Sequence, residues 1–176
     1  TCWPVCADYD GDSLADPAEY YWMMFPGGGF PTLLMRFSSQ NYNGTQIWPG
    51  IGLIDSNFAP IGADFDGDGK ADLGFYNANN SVWCACLSAA NYADLTMTRM
   101  FGNAYCNALA ADFDGDGKAD PAVYNPSTGG WQILLSSLDY VTLTPAILFG
   151  GAGWEAAAAD MDGDKKADPY VRNMAN

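Results

Sequence analysis

One short pattern occurs four times in this chain: Asp8-Tyr-Asp-Gly-Asp-Ser-Leu-Ala-Asp16, Asp64-Phe-Asp-Gly-Asp-Gly-Lys-Ala-Asp72, Asp112-Phe-Asp-Gly-Asp-Gly-Lys-Ala-Asp120 and Asp160-Met-Asp-Gly-Asp-Lys-Lys-Ala-Asp168. The copies start 56, 48 and 48 residues apart. A period of this size marks a repeat architecture, in which each unit is one supersecondary element that buries its apolar face against a neighbour. The rest of the unit recurs as well. An Ala-rich or apolar stretch precedes each loop, as in Ala108-Leu-Ala-Ala111 and Ala156-Ala-Ala-Ala159. Three loops are followed by Pro and then aromatic residues, as in Pro121-Ala-Val-Tyr124. Further on come an apolar run (Trp83-Cys-Ala-Cys-Leu87, Trp131-Gln-Ile-Leu-Leu135) and a run ending in Phe-Gly (Arg99-Met-Phe-Gly102, Ile147-Leu-Phe-Gly150).

These runs are short, bounded by Gly, Pro, Asn and Ser, and rich in Tyr, Trp, Ile, Val and Thr. That is strand chemistry, and no segment keeps a helical period. The Ala159 region is the one place where a short helix fits. The chain is therefore predicted to be all-β: four-stranded antiparallel repeat units with the Asp loop joining the first strand to the second. Units of this length suggest β-propeller-like blades or a related array. A single repeat domain over residues 1–176 is expected, with units at about 1–56, 57–104, 105–152 and a partial fourth at 153–176.

The loops are expected to bind Ca²⁺. This ion takes six to eight oxygens, mostly carboxylates and carbonyls. Side chains at loop positions 1, 3 and 5 converge if the backbone turns sharply, and Gly at position 4 permits that turn. Position 7 offers its carbonyl, so side-chain variation there is harmless. Asp at position 9 closes the shell with both oxygens. Four sites follow. They are Asp8, Asp10, Asp12, Leu14 and Asp16; Asp64, Asp66, Asp68, Lys70 and Asp72; Asp112, Asp114, Asp116, Lys118 and Asp120; and Asp160, Asp162, Asp164, Lys166 and Asp168. An EF-hand is excluded, because it needs a 12-residue loop ending in Glu between helices, and position 12 counted from Asp64 is Phe75. Mg²⁺ fits less well, since it prefers fewer protein ligands and keeps its waters.

Charge supports this reading. Of 21 acidic residues, 16 lie in the four loops, leaving Glu19, Asp55, Asp94, Asp139 and Glu155 elsewhere. Four Ca²⁺ ions would bring the net charge from −14 to −6, an ordinary value for a soluble domain. Seven Lys and Arg, isolated apart from Lys165-Lys166, argue against a nucleic-acid partner. No run of apolar residues is long enough to span a membrane. The first residue is Thr1 with no apolar leader after it, so a secreted form would already have lost its signal. Five cysteines and no His exclude a Cys/His zinc site and fit an oxidising, extracellular or cell-surface setting. Cys106 is expected to pair with Cys84 or Cys86, leaving Cys2 and Cys6 available to another chain.

The Asp-x-Asp-Gly-Asp loops, the spacing near 48, and the segments Phe101-Gly-Asn-Ala104 and Phe149-Gly-Gly-Ala152 resemble FG-GAP (VCBS-type) repeats. Such repeats also build the propeller heads of integrin α subunits and some fungal lectins. The resemblance covers nearly the whole chain. It implies four-stranded blades with Ca²⁺ between the first and second strands, and it carries over the Asp positions of each loop. The chain departs from the family in holding three full units and a fourth that stops after residues 169–173.

Three function classes compete. An enzyme is disfavoured, because no His is present for the common nucleophile–base arrangements and the clustered carboxylates are committed to metal. A carbohydrate-binding or adhesion module is supported by six Trp and ten Tyr. Trp83 and Trp131 read as core, whereas Tyr21, Trp22, Phe25 and Trp48 read as exposed. A structural, self-assembling protein, joined head to tail in a filament or surface layer, is the expected function. A ring and a fragment of a longer chain stay open beside it. Asn43-Gly-Thr45 and Asn79-Asn-Ser81 are N-glycosylation patterns.

Overall fold

The computed structural model describes residues 2–50 and 57–174. Fourteen strands occur among them and no α-helix. They are β1 (Cys2–Pro4), β2 (Ala18–Phe25), β3 (Gly28–Met35), β4 (Gln46–Pro49), β5 (Phe58–Ala63), β6 (Asp72–Asn77), β7 (Val82–Cys86), β8 (Leu95–Met100), β9 (Asn107–Ala111), β10 (Asp120–Asn125), β11 (Gly130–Ile133), β12 (Ile147–Leu148), β13 (Trp154–Ala159) and β14 (Asp168–Asn173). They form three four-stranded sheets in simple meander order and one two-stranded sheet, β13–β14. Neighbouring strands pair antiparallel, as in Ala18↔Met35 between β2 and β3 and Asp120↔Ala111 between β10 and β9. Each Asp loop joins the first strand of its sheet to the second, as the repeat pattern predicts. The Ala-rich stretch before Asp160 is strand β13, not a helix. It pairs along its whole length with β14, from Trp154↔Asn173 to Ala159↔Asp168.

Burial follows strand position. The second strands of the middle two sheets lie between two neighbours and are buried on both faces, β6 throughout and β10 except at its last residue, whereas β2 is buried on one face only near its start. This explains the unbroken apolar runs of β6 and β10, Leu73 to Tyr76 and Pro121 to Tyr124. The recurrent Phe-Gly also has a physical cause. Phe101 stacks on Trp83 with centroids 6.0 Å apart, and Phe149 on Trp131 at 5.4 Å, both with rings 8° from parallel. The glycines that follow, Gly102 and Gly150, take φ of 87° and 88°. A β-carbon on Gly150 would stand 2.5 Å from the Tyr124 hydroxyl. Trp83 and Trp131 are fully buried, as core residues.

The chain packs as two compact units. One comprises Thr1–Tyr76 with Cys84–Thr98, the other Asn77–Trp83 with Arg99–Asn176. The first has a core that includes Tyr20, Leu33, Met35, Leu73 and Phe75. Trp48, expected at the surface, is half-buried there against Phe37 and Tyr92. Tyr21 is also half-buried, whereas Trp22 and Phe25 are exposed as expected.

The cysteine expectation is corrected: all five thiols are free. Residues two apart on a strand share a face, and the face holding Cys84 and Cys86 is the core side. Their side chains are therefore used in packing rather than bridging. Burial pushes the Cys84 thiol up to about 12 and Cys86 to about 11. Cys106 is buried too, while Cys2 and Cys6 are exposed. Asn43 and Asn79 of the glycosylation patterns are both exposed.

Candidate metal centres

The loop backbone is organised around its first Asp. Asp8 accepts the amides of Gly11 and Ser13, each at 2.7 Å. Asp64 accepts Gly67 at 2.6 Å and Gly69 at 2.8 Å. Asp112 takes Gly115 at 2.6 Å and Gly117 at 2.9 Å, and Asp160 takes Gly163 at 2.6 Å and Lys165 at 3.0 Å. Folding four or five residues around one carboxylate drives position 4 into the left-handed region, with φ between 80° and 86° in the four loops. This is why Gly stands there each time. Position 6 is left-handed as well. Gly69 and Gly117 adopt that conformation freely, whereas Ser13 (φ 68°) and Lys165 (φ 72°) are strained.

The last Asp of each loop works differently. Its Oδ2 accepts the amide of position 2: Tyr9 to Asp16 at 2.8 Å, Phe65 to Asp72 at 2.7 Å, Phe113 to Asp120 at 2.8 Å and Met161 to Asp168 at 3.0 Å. In the first three loops Oδ1 accepts a second amide from a 3₁₀ turn that follows the third strand. Ser38 reaches Asp16 at 2.6 Å, Ser88 reaches Asp72 at 2.7 Å and Ser136 reaches Asp120 at 2.6 Å. These three carboxylates are fully buried, at 0% exposure. Burial pushes the Asp72 carboxyl up to about 6 against the opposing pull of the Ser88 and Phe65 amides, and raises Asp120 in the same way.

Those serines belong to the candidate sites, and the sequence pattern alone did not single them out. The hydroxyls of Ser38, Ser88 and Ser136 donate to the position-5 carboxylates Asp12, Asp68 and Asp116 at 2.6, 3.1 and 3.0 Å. Ser39 and Ser137 reach the position-3 carboxylates Asp10 and Asp114. A signal was present: Ser38-Ser-Gln-Asn-Tyr42, Ser88-Ala-Ala-Asn-Tyr92 and Ser136-Ser-Leu-Asp-Tyr140 follow the buried Asp by 22, 16 and 16 residues.

Three carboxylates per loop converge. One oxygen from each of Asp8, Asp10 and Asp16 lies within 4.8 Å of the others, and the same holds for Asp64, Asp66 and Asp72, for Asp112, Asp114 and Asp120, and for Asp160, Asp162 and Asp168. The position-5 residues Asp12, Asp68, Asp116 and Asp164 fall outside these groups. Their Oδ1 atoms accept the amides of Leu14, Lys70, Lys118 and Lys166 at 2.8–2.9 Å.

The electrostatics of these groups call for a cation. Two unit charges about 4.8 Å apart repel by on the order of 3 kcal/mol at an effective dielectric of 20, and each loop contains three such pairs. No ammonium or guanidinium pairs with the acids of loops 1, 3 or 4 among the described residues. Asp10 Oδ1 is buried with no hydrogen-bond partner, an arrangement that a bound ion would relieve. The donors are all oxygen, the set suited to a hard cation such as Ca²⁺ or Mg²⁺ rather than to Zn²⁺. Each of the four groups can therefore hold a metal ion. No family model, curated protein or solved structure matches this chain.

Proposed function

We propose that this chain is an extracellular calcium-binding repeat protein with a non-catalytic, structural role. In this reading it is of the FG-GAP type, and its sheets are propeller-like blades. The observation that carries the reading is the same Asp triad in four loops, together with the buried, unpartnered Asp10 Oδ1. Ca²⁺ is favoured over Mg²⁺ because each loop gathers several carboxylate donors, whereas Mg²⁺ usually takes one or two and keeps its waters. The ion's task is to cancel carboxylate repulsion at the joint between the first two strands of each sheet. Self-association belongs to the proposal. The outer strands of all four sheets have one partner each among the described strands, and an edge of this kind is a template for another strand.

A second reading, an adhesion or carbohydrate-binding module, is favoured by one hairpin. Strands β2 and β3 pair over eight residues, from Ala18↔Met35 to Phe25↔Gly28, and Trp22, Met24 and Phe25 near its tip are exposed. The matching hairpins of the next two repeats turn instead at polar asparagines, Asn77 and Asn125, which cap the amides of Asn79 and Ser127.

Thermal unfolding in millimolar Ca²⁺ and in chelator tests the main reading. Extracellular modules bind Ca²⁺ with dissociation constants of about 0.1–1 mM. At the tight end each site adds roughly 1.5 kcal/mol, or about 6 kcal/mol for four, comparable to a domain's whole stability. A large fall in Tm on chelation is expected. A Tm that chelation leaves unchanged would rule the reading out.

A further inference from the structure

We infer that the calcium sites are coupled in pairs, site 1 with site 2 and site 3 with site 4, through a hydrogen-bond relay braced by a lysine. The inference rests on the proposed calcium reading. Ala71, next to the loop 2 ligand Asp72, donates its amide to the Asp8 carbonyl at 2.6 Å. That carbonyl shares a peptide group with the Tyr9 amide, which donates to the loop 1 ligand Asp16 at 2.8 Å. One peptide plane thus connects the two sites. The second pair repeats the design. Ala167, beside Asp168, donates to the Asp112 carbonyl at 2.6 Å, and the Phe113 amide of the same peptide donates to Asp120 at 2.8 Å.

A lysine stem holds each relay in place. A β-carbon on Gly11 would stand 3.4 Å from Lys70 Cγ and 3.5 Å from its Cε, so the stem lies along the loop 1 turn. At Gly115 the corresponding distances to Lys166 are 3.2 and 3.3 Å. The side chain at position 7, to which the sequence reading gave no role, is therefore a positioning group for the preceding loop. Metal at Asp72 orders loop 2 and with it Ala71 and Lys70. The polarised peptide then presents Asp16 in its binding geometry. Binding at either member of a pair raises affinity at the other, by the reciprocity of linked equilibria.

Coulomb interactions alone have the opposite sign, which makes the inference testable. Emptying loop 2 removes a dication and so would tighten loop 1; relay coupling weakens it. Each loop has its own reporter, the position-4 glycine amide bound to the first Asp: Gly11, Gly67, Gly115 and Gly163. Nitrogen–proton NMR spectra recorded during a Ca²⁺ titration follow all four at once. With Asp66→Asn, the Gly11 midpoint is expected to move to about fivefold higher Ca²⁺, and with Asp162→Asn the Gly115 midpoint does the same. Lys70→Ala should shift Gly11 in that direction, and Lys70→Met, which keeps the stem without the charge, should restore it. Midpoints for Gly11 and Gly115 that stay fixed or move to lower Ca²⁺ would overturn the coupling while leaving calcium binding intact. Glycine amides that ignore Ca²⁺ in the unmodified chain would overturn both.

Discussion

Loops 1 to 3 and loop 4 share a sequence pattern but not an environment. In the first three, the 3₁₀ turn after the third strand returns a serine to the loop, where it binds the last Asp through its amide and the fifth-position Asp through its hydroxyl. Asp16, Asp72 and Asp120 are buried completely as a result. In loop 4, Asp168 accepts the amide of Met161 and remains half-exposed. The nine-residue motif is thus enough to gather three carboxylates, since Asp160, Asp162 and Asp168 still converge. It is not enough to enclose them. Closure comes from residues 16 to 22 positions away along the chain.

The largest expected difference between these environments lies in the last Asp. Asp72→Ala strands the amides of Phe65 and Ser88 in a buried site, at about 1–3 kcal/mol each. It should cost on the order of 4 kcal/mol in urea unfolding with chelator present. Asp168→Ala, in its half-exposed loop, should cost about 1 kcal/mol. Equal costs would erase the distinction.

Acidity should separate the environments next. The Asp72 carboxyl sits at about 6 in the folded protein against an ordinary 3.8, and Asp120 is raised too. A raised carboxyl means that the folded state binds more protons than the unfolded state across this window. Stability of the metal-free protein therefore falls as pH rises from about 4 to 6, by up to about 3 kcal/mol for Asp72. Asp72→Asn should flatten the slope. Saturating Ca²⁺ should reverse it, because the ion binds the charged form. A metal-free protein that gains stability over this window would contradict the assignment.

A smaller effect is expected from the serine hydroxyl. Ser136→Ala keeps the backbone amide and removes only the bond to Asp116, worth about 1 kcal/mol. Calcium affinity at loop 3 should drop about fivefold, read from the Gly115 amide, while Gly11 in loop 1, which belongs to the other pair, is unaffected.

The smallest effect is local strain. Ser13→Gly and Lys165→Gly relieve a left-handed residue and should each stabilise the protein by roughly 1 kcal/mol. Substituting Ala for Gly117 should destabilise it by a similar amount. Thermal melts of the three variants check the sign.

Much of this architecture was legible in the residues. Alternating short runs of Trp, Tyr, Ile and Val bounded by Gly and Asn can satisfy their backbone only as strands, and the fixed loop spacing sets the repeat. The carboxylates at positions 1, 3 and 9 were legible for the same local reason, since a turn of nine residues brings its own ends together. The separate course of the fifth-position carboxylates was not, because it depends on Ser38, Ser88 and Ser136, which reach the loops only once the third strand is in place. Ser-x-x-Asn/Asp-Tyr also reads as an ordinary surface turn. Its meaning appears when Asn41, Asn91 and Asp139 are seen in the left-handed region, with Tyr42, Tyr92 and Tyr140 beside them in the same conformation. The free thiols were hidden as well: two cysteines on one strand face signal either a bridge or a core, and only the surrounding Tyr20 and Phe75 decide for core.

Calorimetric titration of the metal-free chain with Ca²⁺ is the most direct test of whether the Asp triads are metal sites. Four ions per chain are expected, three in the enclosed loops and a weaker fourth at Asp160, Asp162 and Asp168, with Asp112→Ala removing one of the three. Fewer than three ions bound, or a stoichiometry that Asp112→Ala does not change, would contradict it.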